Sequence, residues 1–230
     1  MPDITISGQD GHFSAYLAKP ASGSGPGIVL IQEIFGINKV MRDIADAHAS
    51  EGYFVLAPDL FWRQEPGVQL TDQTDAEWAR ARSLMQAFDQ DKGIEDLIAT
   101  MKALRAMQGC TGKVGTVGYC LGGRLAYLMA TRSDADCSVS YYGVGIQDFL
   151  DEAKNINAPL MLHVAEEDQF VPKEAQATVK THLQGHPQVT IHSYAGADHA
   201  FARVGGKHYD KTAANSANRR TAEFFKQHLS

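Results

Sequence analysis

Hydrophobic positions along the chain fall into two rhythms that take turns. Continuous apolar runs such as Gly27-Ile28-Val29-Leu30-Ile31 and Tyr53–Ala57 have the form of strands buried on both faces. Between such runs, apolar residues recur at helical spacing; Ile94, Leu97, Ile98, Met101 and Leu104 make one stripe. Asp3–Ser7 and His12–Ala18 alternate weakly around Gly8-Gln9-Asp10-Gly11, which predicts a short opening hairpin. Pro20 to Pro26, rich in Gly and Ser, is a loop. Asn38 can cap a helix that runs to about Ser50 and ends at Gly52. Pro58 stops the next strand, and Asp59 to Asp72 predicts a long loop holding Phe61, Trp62 and Pro66. Loops of that length often carry function.

Two helices are expected next, the second bearing the apolar stripe. Lys113–Gly118 predicts a strand, Leu121–Thr131 a helix and Cys137–Tyr142 another strand. Pro159–Ala165, a helix near Pro172–Leu183, the strand Gln188–Tyr194 and a last helix from about Asp210 to His228 complete the set. Such alternation predicts an α/β fold with a mainly parallel sheet and helices on both faces. A length of 230 residues fits one domain over residues 1–230, and no repeat or linker divides it.

Composition narrows the partners. A net charge of −6, with no run of Lys or Arg, argues against a nucleic-acid binder, which needs a basic face to release counterions. Acidic bulk charge is compatible with an anionic small substrate, since one or two placed arginines suffice. The N-terminus, Met1-Pro2-Asp3-Ile4-Thr5, has no basic or apolar leader pattern, and the apolar runs are too short to cross a bilayer. Cys110, Cys120 and Cys137 are an odd set at no metal-ligand spacing. Free thiols in a cytoplasmic protein, with no metal or cofactor, are the expectation.

The chemistry concentrates at Val117-Gly118-Tyr119-Cys120-Leu121-Gly122-Gly123, which has the form G-x-C-x-G between a predicted strand and a predicted helix. In the serine version the nucleophile occupies a strained strand-to-helix turn, with glycines where strand and helix pack closely. The turn lifts the sulfur out of the sheet and aims the Leu121 N–H, at a helix start, toward a reacting oxygen. A helix N-terminus also favours thiolate. The competing explanation is a buried cysteine beside a Gly-rich packing turn.

Partners downstream favour catalysis. An α/β-hydrolase orders its triad nucleophile, acid, histidine along the chain. The strand ending at Ala165 runs into Glu166-Glu167-Asp168, and the next runs into Ala195-Gly196-Ala197-Asp198-His199. Both loops follow carboxyl ends of strands, where ligands of open α/β sheets bind. His199 would exchange the proton with sulfur and leaving group, and Asp168 would fix its tautomer. Glu166 or Glu167 could take the orienting role instead, leaving Asp168 as a helix cap, and His199 could be a surface loop residue. The remaining histidines, including His163 inside a strand, fit structural or surface roles.

Taken together, Gln32-Glu33-Ile34-Phe35-Gly36, Ala57-Pro58-Asp59-Leu60, Gln86-Ala87-Phe88-Asp89, the stretch from Gly115 to Gly123 and His199-Ala200-Phe201-Ala202-Arg203 resemble the dienelactone hydrolase family, also called carboxymethylenebutenolidases. The resemblance spans nearly the whole chain. It implies an α/β-hydrolase fold and carries the triad over as Cys120, Asp168 and His199. It also implies that Glu33 rests against Arg203 until substrate carboxylate engages the arginine, freeing the glutamate to deprotonate the thiol. Arming only with substrate would spare an idle thiolate from oxidation. By the same resemblance the Ile34 and Leu121 N–H groups form the oxyanion hole.

One position departs from the family. Its second carboxylate-binding arginine falls on Trp78 here, with Arg80 and Arg82 close by. The expected reaction is hydrolysis of a carboxylate-bearing enol-lactone through an acyl-cysteine. A general carboxylesterase or thioesterase of the same fold is the alternative within catalysis. A non-catalytic hydrolase-like ligand-binding protein is the alternative outside it.

Overall fold

The structure, a computed structural model, describes residues 3–230; Met1 and Pro2, the start of the expected leaderless terminus and of the 1–230 domain, lie outside them. The chain falls into two compact units, Met1–Val114 and Gly115–Ser230.

The first unit opens with the expected hairpin, β1 (Asp3–Ser7) antiparallel to β2 (His12–Ala18). Then come β3 (Gly25–Ile31), α1 (Lys39–Ser50), β4 (Phe54–Pro58), α2 (Asp75–Gln86) and α3 (Gln90–Arg105). β2 pairs antiparallel with β4, and β4 pairs parallel with β3. β4 is buried along its whole length, as its unbroken apolar run requires. β3 begins at Gly25 rather than Gly27, and the chain passes Gly52 closely there. A β-carbon on Gly25 would lie 2.1 Å from the Gly52 carbonyl oxygen.

Each helix of this unit starts on a side-chain cap. Asn38 Oδ1 accepts from the Met41 N–H at 3.2 Å, Thr74 Oγ1 from Glu77 at 3.2 Å and Asp89 Oδ1 from Lys92 at 3.1 Å. Such caps satisfy backbone donors that the first turn leaves open, at about 1 kcal/mol each. The α3 stripe buries Ile94, Leu97, Met101 and Leu104, with Ile98 half-buried.

The long loop after β4 is fastened by its own side chains. Asp59 accepts from the Phe61 and Gly67 N–H groups at 3.0 and 2.7 Å. Trp62 stacks on Phe13 and donates to buried Asp96 at 2.9 Å, while Arg63 binds both Asp10 and Asp96.

The boundary between the units falls within β5 (Cys110–Tyr119). The second unit continues through α4 (Leu121–Arg132), β6 (Cys137–Tyr141), a 3-10 stretch (Ile146–Asn155), β7 (Leu160–Ala165), α5 (Lys173–Leu183), β8 (Val189–Tyr194) and α6 (Lys211–Leu229). β5, β6, β7 and β8 pair in that order, every pair parallel. The 3-10 stretch is missing from the sequence expectation, although Ile146, Leu150 and Ala153 bury one face of it. Its backbone leaves helical geometry at Phe149.

Candidate active site

The β5–α4 turn has the strain expected of a nucleophile elbow. Cys120 sits at φ 58 and ψ −114, in a region that side chains other than glycine avoid at a cost of about 1–3 kcal/mol. Hydrogen bonds on both sides hold it there. Its N–H donates to the Tyr141 carbonyl at 3.1 Å, and its own carbonyl accepts from Gly123 and Arg124 at 3.0 and 3.3 Å. A β-carbon on Gly118 would meet the Gly122 carbonyl at 1.9 Å, which is the close strand–helix approach that the motif requires. Gly123, outside the motif, is equally constrained, since a β-carbon there would lie 2.5 Å from the Tyr141 carbonyl oxygen.

β7 and β8 run parallel with Ala165 opposite Tyr194, so their following loops leave the same edge. That register brings Asp168 and His199 together. Asp168 Oδ2 lies 2.8 Å from His199 Nδ1, and both side chains are buried. The other carboxylate oxygen accepts from the Phe170 N–H at 2.8 Å, so Asp168 both closes its loop and holds the imidazole. The rival orienters are occupied elsewhere: Glu167 pairs with Lys173 at 2.8 Å, and the Glu166 carboxylate faces Lys180 at 3.8 Å. Asp198 ties the two loops, accepting from the backbone N–H groups of Gln169 and His199.

Two aromatic rings that sequence reasoning missed flank the imidazole. Tyr142 and Phe170 present edges to His199 at centroid distances of 5.1 and 4.8 Å. Tyr142 itself takes a positive φ of 38, and Ala200 one of 62. No spacing rule marks such residues.

Charge around His199 is balanced by opposing effects. Burial acts to lower its pKa, but the charge of the Cys120 sulfur and the hydrogen bond to Asp168 outweigh burial and push it up to about 10. His199 Nε2 is buried and makes no well-formed hydrogen bond. Sulfur and imidazole are close enough to couple electrostatically. The arrangement favours the protonated form of His199.

The remaining candidates are distributed over both units. Glu33 and Ile34, both buried, follow β3 in the first unit. Gln32 steadies them, its Oε1 accepting from Leu60 N–H at 3.1 Å and its Nε2 donating to the Glu33 carbonyl at 3.3 Å. Leu121 is the first residue of α4. Arg203 is buried in the second unit, in the turns that follow His199. Trp78 packs edge-on against Phe35 at 5.0 Å. Arg80 is paired with Glu65, and Arg82 lies over the Trp78 ring. Among the described residues, no three His, Cys, Asp or Glu side chains gather as metal ligands, and all three cysteines are free thiols.

With a cysteine at a strained elbow and a buried Asp–His pair beside it, comparison with known proteins becomes informative. The profile of the Dienelactone hydrolase family matches residues 13–229. The chain belongs to this family. A carboxymethylenebutenolidase of Pseudomonas putida is 39% identical over 222 residues, covering 96% of this chain and 94% of that protein. A protein of Azospirillum brasilense is 54% identical over 232 residues, covering all of both chains. The crystal structure of a Klebsiella pneumoniae protein superposes with a TM-score of 0.86 at 27% identity, over 98% of each chain. As a dienelactone hydrolase family member with the α/β-hydrolase fold, the chain is a hydrolase of ester and lactone bonds acting on a small molecule. No helix among the described residues is long and apolar enough to cross a membrane.

Proposed function

We propose that this dienelactone hydrolase cleaves a carboxylate-bearing enol-lactone through an acyl-cysteine intermediate. The single observation that most supports it is the buried Asp168–His199 pair, held at 2.8 Å, in the same unit as Cys120 at its strained turn. The sulfur attacks the lactone carbonyl, and the Ile34 and Leu121 N–H groups receive the oxyanion. Collapse of the tetrahedral adduct breaks the ring C–O bond. The departing enolate takes the proton held on His199, and the acyl group stays on sulfur. His199, now neutral, removes a proton from water; hydroxide attacks the thioester, and the dicarboxylate product leaves with sulfur restored as thiolate.

Roles follow from chemistry. A thiolate is itself a good leaving group, so an ordinary alkoxide competes poorly for expulsion, whereas an enolate leaves readily. Arg203 binds substrate carboxylate, and Glu33 takes the thiol proton once that arginine is engaged. Free thiols at Cys110, Cys120 and Cys137 support a cytoplasmic location.

Steady-state rates on a dienelactone, an aryl acetate and a peptide test the reaction class. The expected order is lactone, then aryl ester, with negligible peptide cleavage. Fastest turnover on the peptide overturns the proposal. Quenching single turnovers of the lactone in acid should add one acyl mass at Cys120. A burst of product without that adduct would rule out the covalent route.

A further inference from the structure

Arg124 is a charged side chain for which the second unit provides no hydrogen-bonding partner. It lies in the first turn of α4, and its backbone N–H donates to the Cys120 carbonyl at 3.3 Å. Helical side chains lean toward the N-terminus, so the guanidinium is carried back toward the end of α4 where the nucleophile sits. Gly145, at φ +88, leaves room for it: a β-carbon there would lie 3.0 Å from Nη1. Among the described residues Arg124 donates no side-chain hydrogen bond and forms no ion pair, and its Nε is buried. The neighbouring Gln147 also has a buried side-chain oxygen without a partner, while its Nε2 donates to Asp148 at 3.4 Å.

Arg124 is half-buried, and a guanidinium partly withdrawn from water with no hydrogen bond to replace it carries a cost that an aliphatic residue in the same space would avoid. Burial lowers the Arg124 pKa, with the charges of Cys120 and Asp148 acting against it. Asp148 is exposed and steadies the guanidinium only through space. A planar fork of donors left open is the shape that a carboxylate completes.

We propose that Arg124 is a substrate-binding residue, the cation that receives a carboxylate of the substrate beside Cys120. This rests on the lactone reading above. It supplies a second arginine to a chain whose counterpart of the family's second arginine is Trp78, with Arg80 engaged by Glu65 and Arg82 by the Trp78 ring.

The test is steady-state kinetics on one enol-lactone, offered as the free acid and as its methyl ester, with wild type, Arg124→Met, Arg124→Lys and Arg203→Ala. Wild type should prefer the acid. Arg124→Met should raise KM for the acid, with a loss exceeding that for the ester by about ten-fold, and Arg124→Lys should recover most of it. Benzoate, used as a competitive inhibitor of ester turnover, should weaken in parallel in Arg124→Met. Equal losses for acid and ester in that variant would place Arg124 in the fold or on the sulfur, and would overturn the inference. So would an unchanged KM for the acid. If Arg203→Ala abolishes the preference while Arg124→Met retains it, the lactone reading stands and the Arg124 role falls. If wild type does not distinguish acid from ester, the carboxylate reading falls and takes this role with it.

Discussion

His163 and His199 belong to the same unit and are buried to the same degree, 1% and 3% exposed, yet they are opposite kinds of residue. His163 lies inside β7 between two hydroxyls, Tyr194 Oη at 2.8 Å and Thr221 Oγ1 at 3.0 Å. Burial drives its pKa well below the ordinary value, with the charges of His192 and Arg220 adding to the effect. It is a neutral pin between strand and α6. His199 stands on a loop beyond β8, where a carboxylate and a sulfur hold it protonated against the same burial. Burial alone therefore does not make a histidine chemical. An ionised partner does, and loops after strands are where this fold can place two such partners at once.

The largest expected effect breaks the His199 side of that comparison. Cys120→Ala should lower kcat/KM on the lactone by about four powers of ten or more, because nucleophile and base act as a unit. Undiminished turnover would remove the nucleophile assignment. Asp168→Asn should cost about 10^3-fold in kcat with the fold intact, since an amide can hold the wrong tautomer and cannot stabilise imidazolium. Circular dichroism and a thermal melt would separate that loss from unfolding. Within the same assay, Arg203→Ala should cost the carboxylated lactone about 10- to 100-fold more than a neutral aryl ester. Equal losses on both would deny the arginine a substrate role.

His163→Gln sharpens the other side. Two hydroxyls, Tyr194 Oη and Thr221 Oγ1, would each lose one of their partners, so urea unfolding should show a loss of about 1–3 kcal/mol. The comparison predicts that kcat/KM at neutral pH stays within about three-fold, since nothing in the reaction passes through that ring. A folded variant with catalysis abolished would contradict the division drawn between the two histidines.

Much of the site was legible in the sequence. The strand–Gly-x-Cys-x-Gly–helix segment announced the elbow because its chemistry is local. The chain must turn within a few residues, and only glycine fits at position 118, where a β-carbon would lie 1.9 Å from the Gly122 carbonyl oxygen. Asp168 and His199 were legible by order along the chain, and Asp168 was separable from Glu166 and Glu167 only once the β7–β8 register was known. Tyr142, Phe170 and the open guanidinium of Arg124 were not legible. Their roles depend on which loop folds over which helix turn, and a sequence period carries no record of that. The 3-10 stretch, by contrast, could have been read, since Ile146, Phe149, Leu150 and Ala153 stand at helical spacing.

The smallest expected effect is also the one that tests the histidine comparison without touching catalysis. An unfolded histidine titrates near 6.5, whereas folded His163 is held well below that. Between those two values the unfolded chain binds a proton that the folded chain refuses. Stability should therefore rise with pH up to about 6.5 and contribute no further slope above it, with a limit of about 1.4 kcal/mol per pH unit. His192, lowered by partial burial and by Arg220, acts in the same direction and leaves a residual slope. His199 behaves otherwise. Its folded pKa is raised, so below 6.5 both states already carry the proton and it adds nothing to the acid limb. Urea melts between pH 5 and 7 should thus show a shallower acid limb in His163→Gln and a wild-type limb in His199→Gln. The reverse pattern would mean that the buried strand histidine, not the loop one, carries the charge.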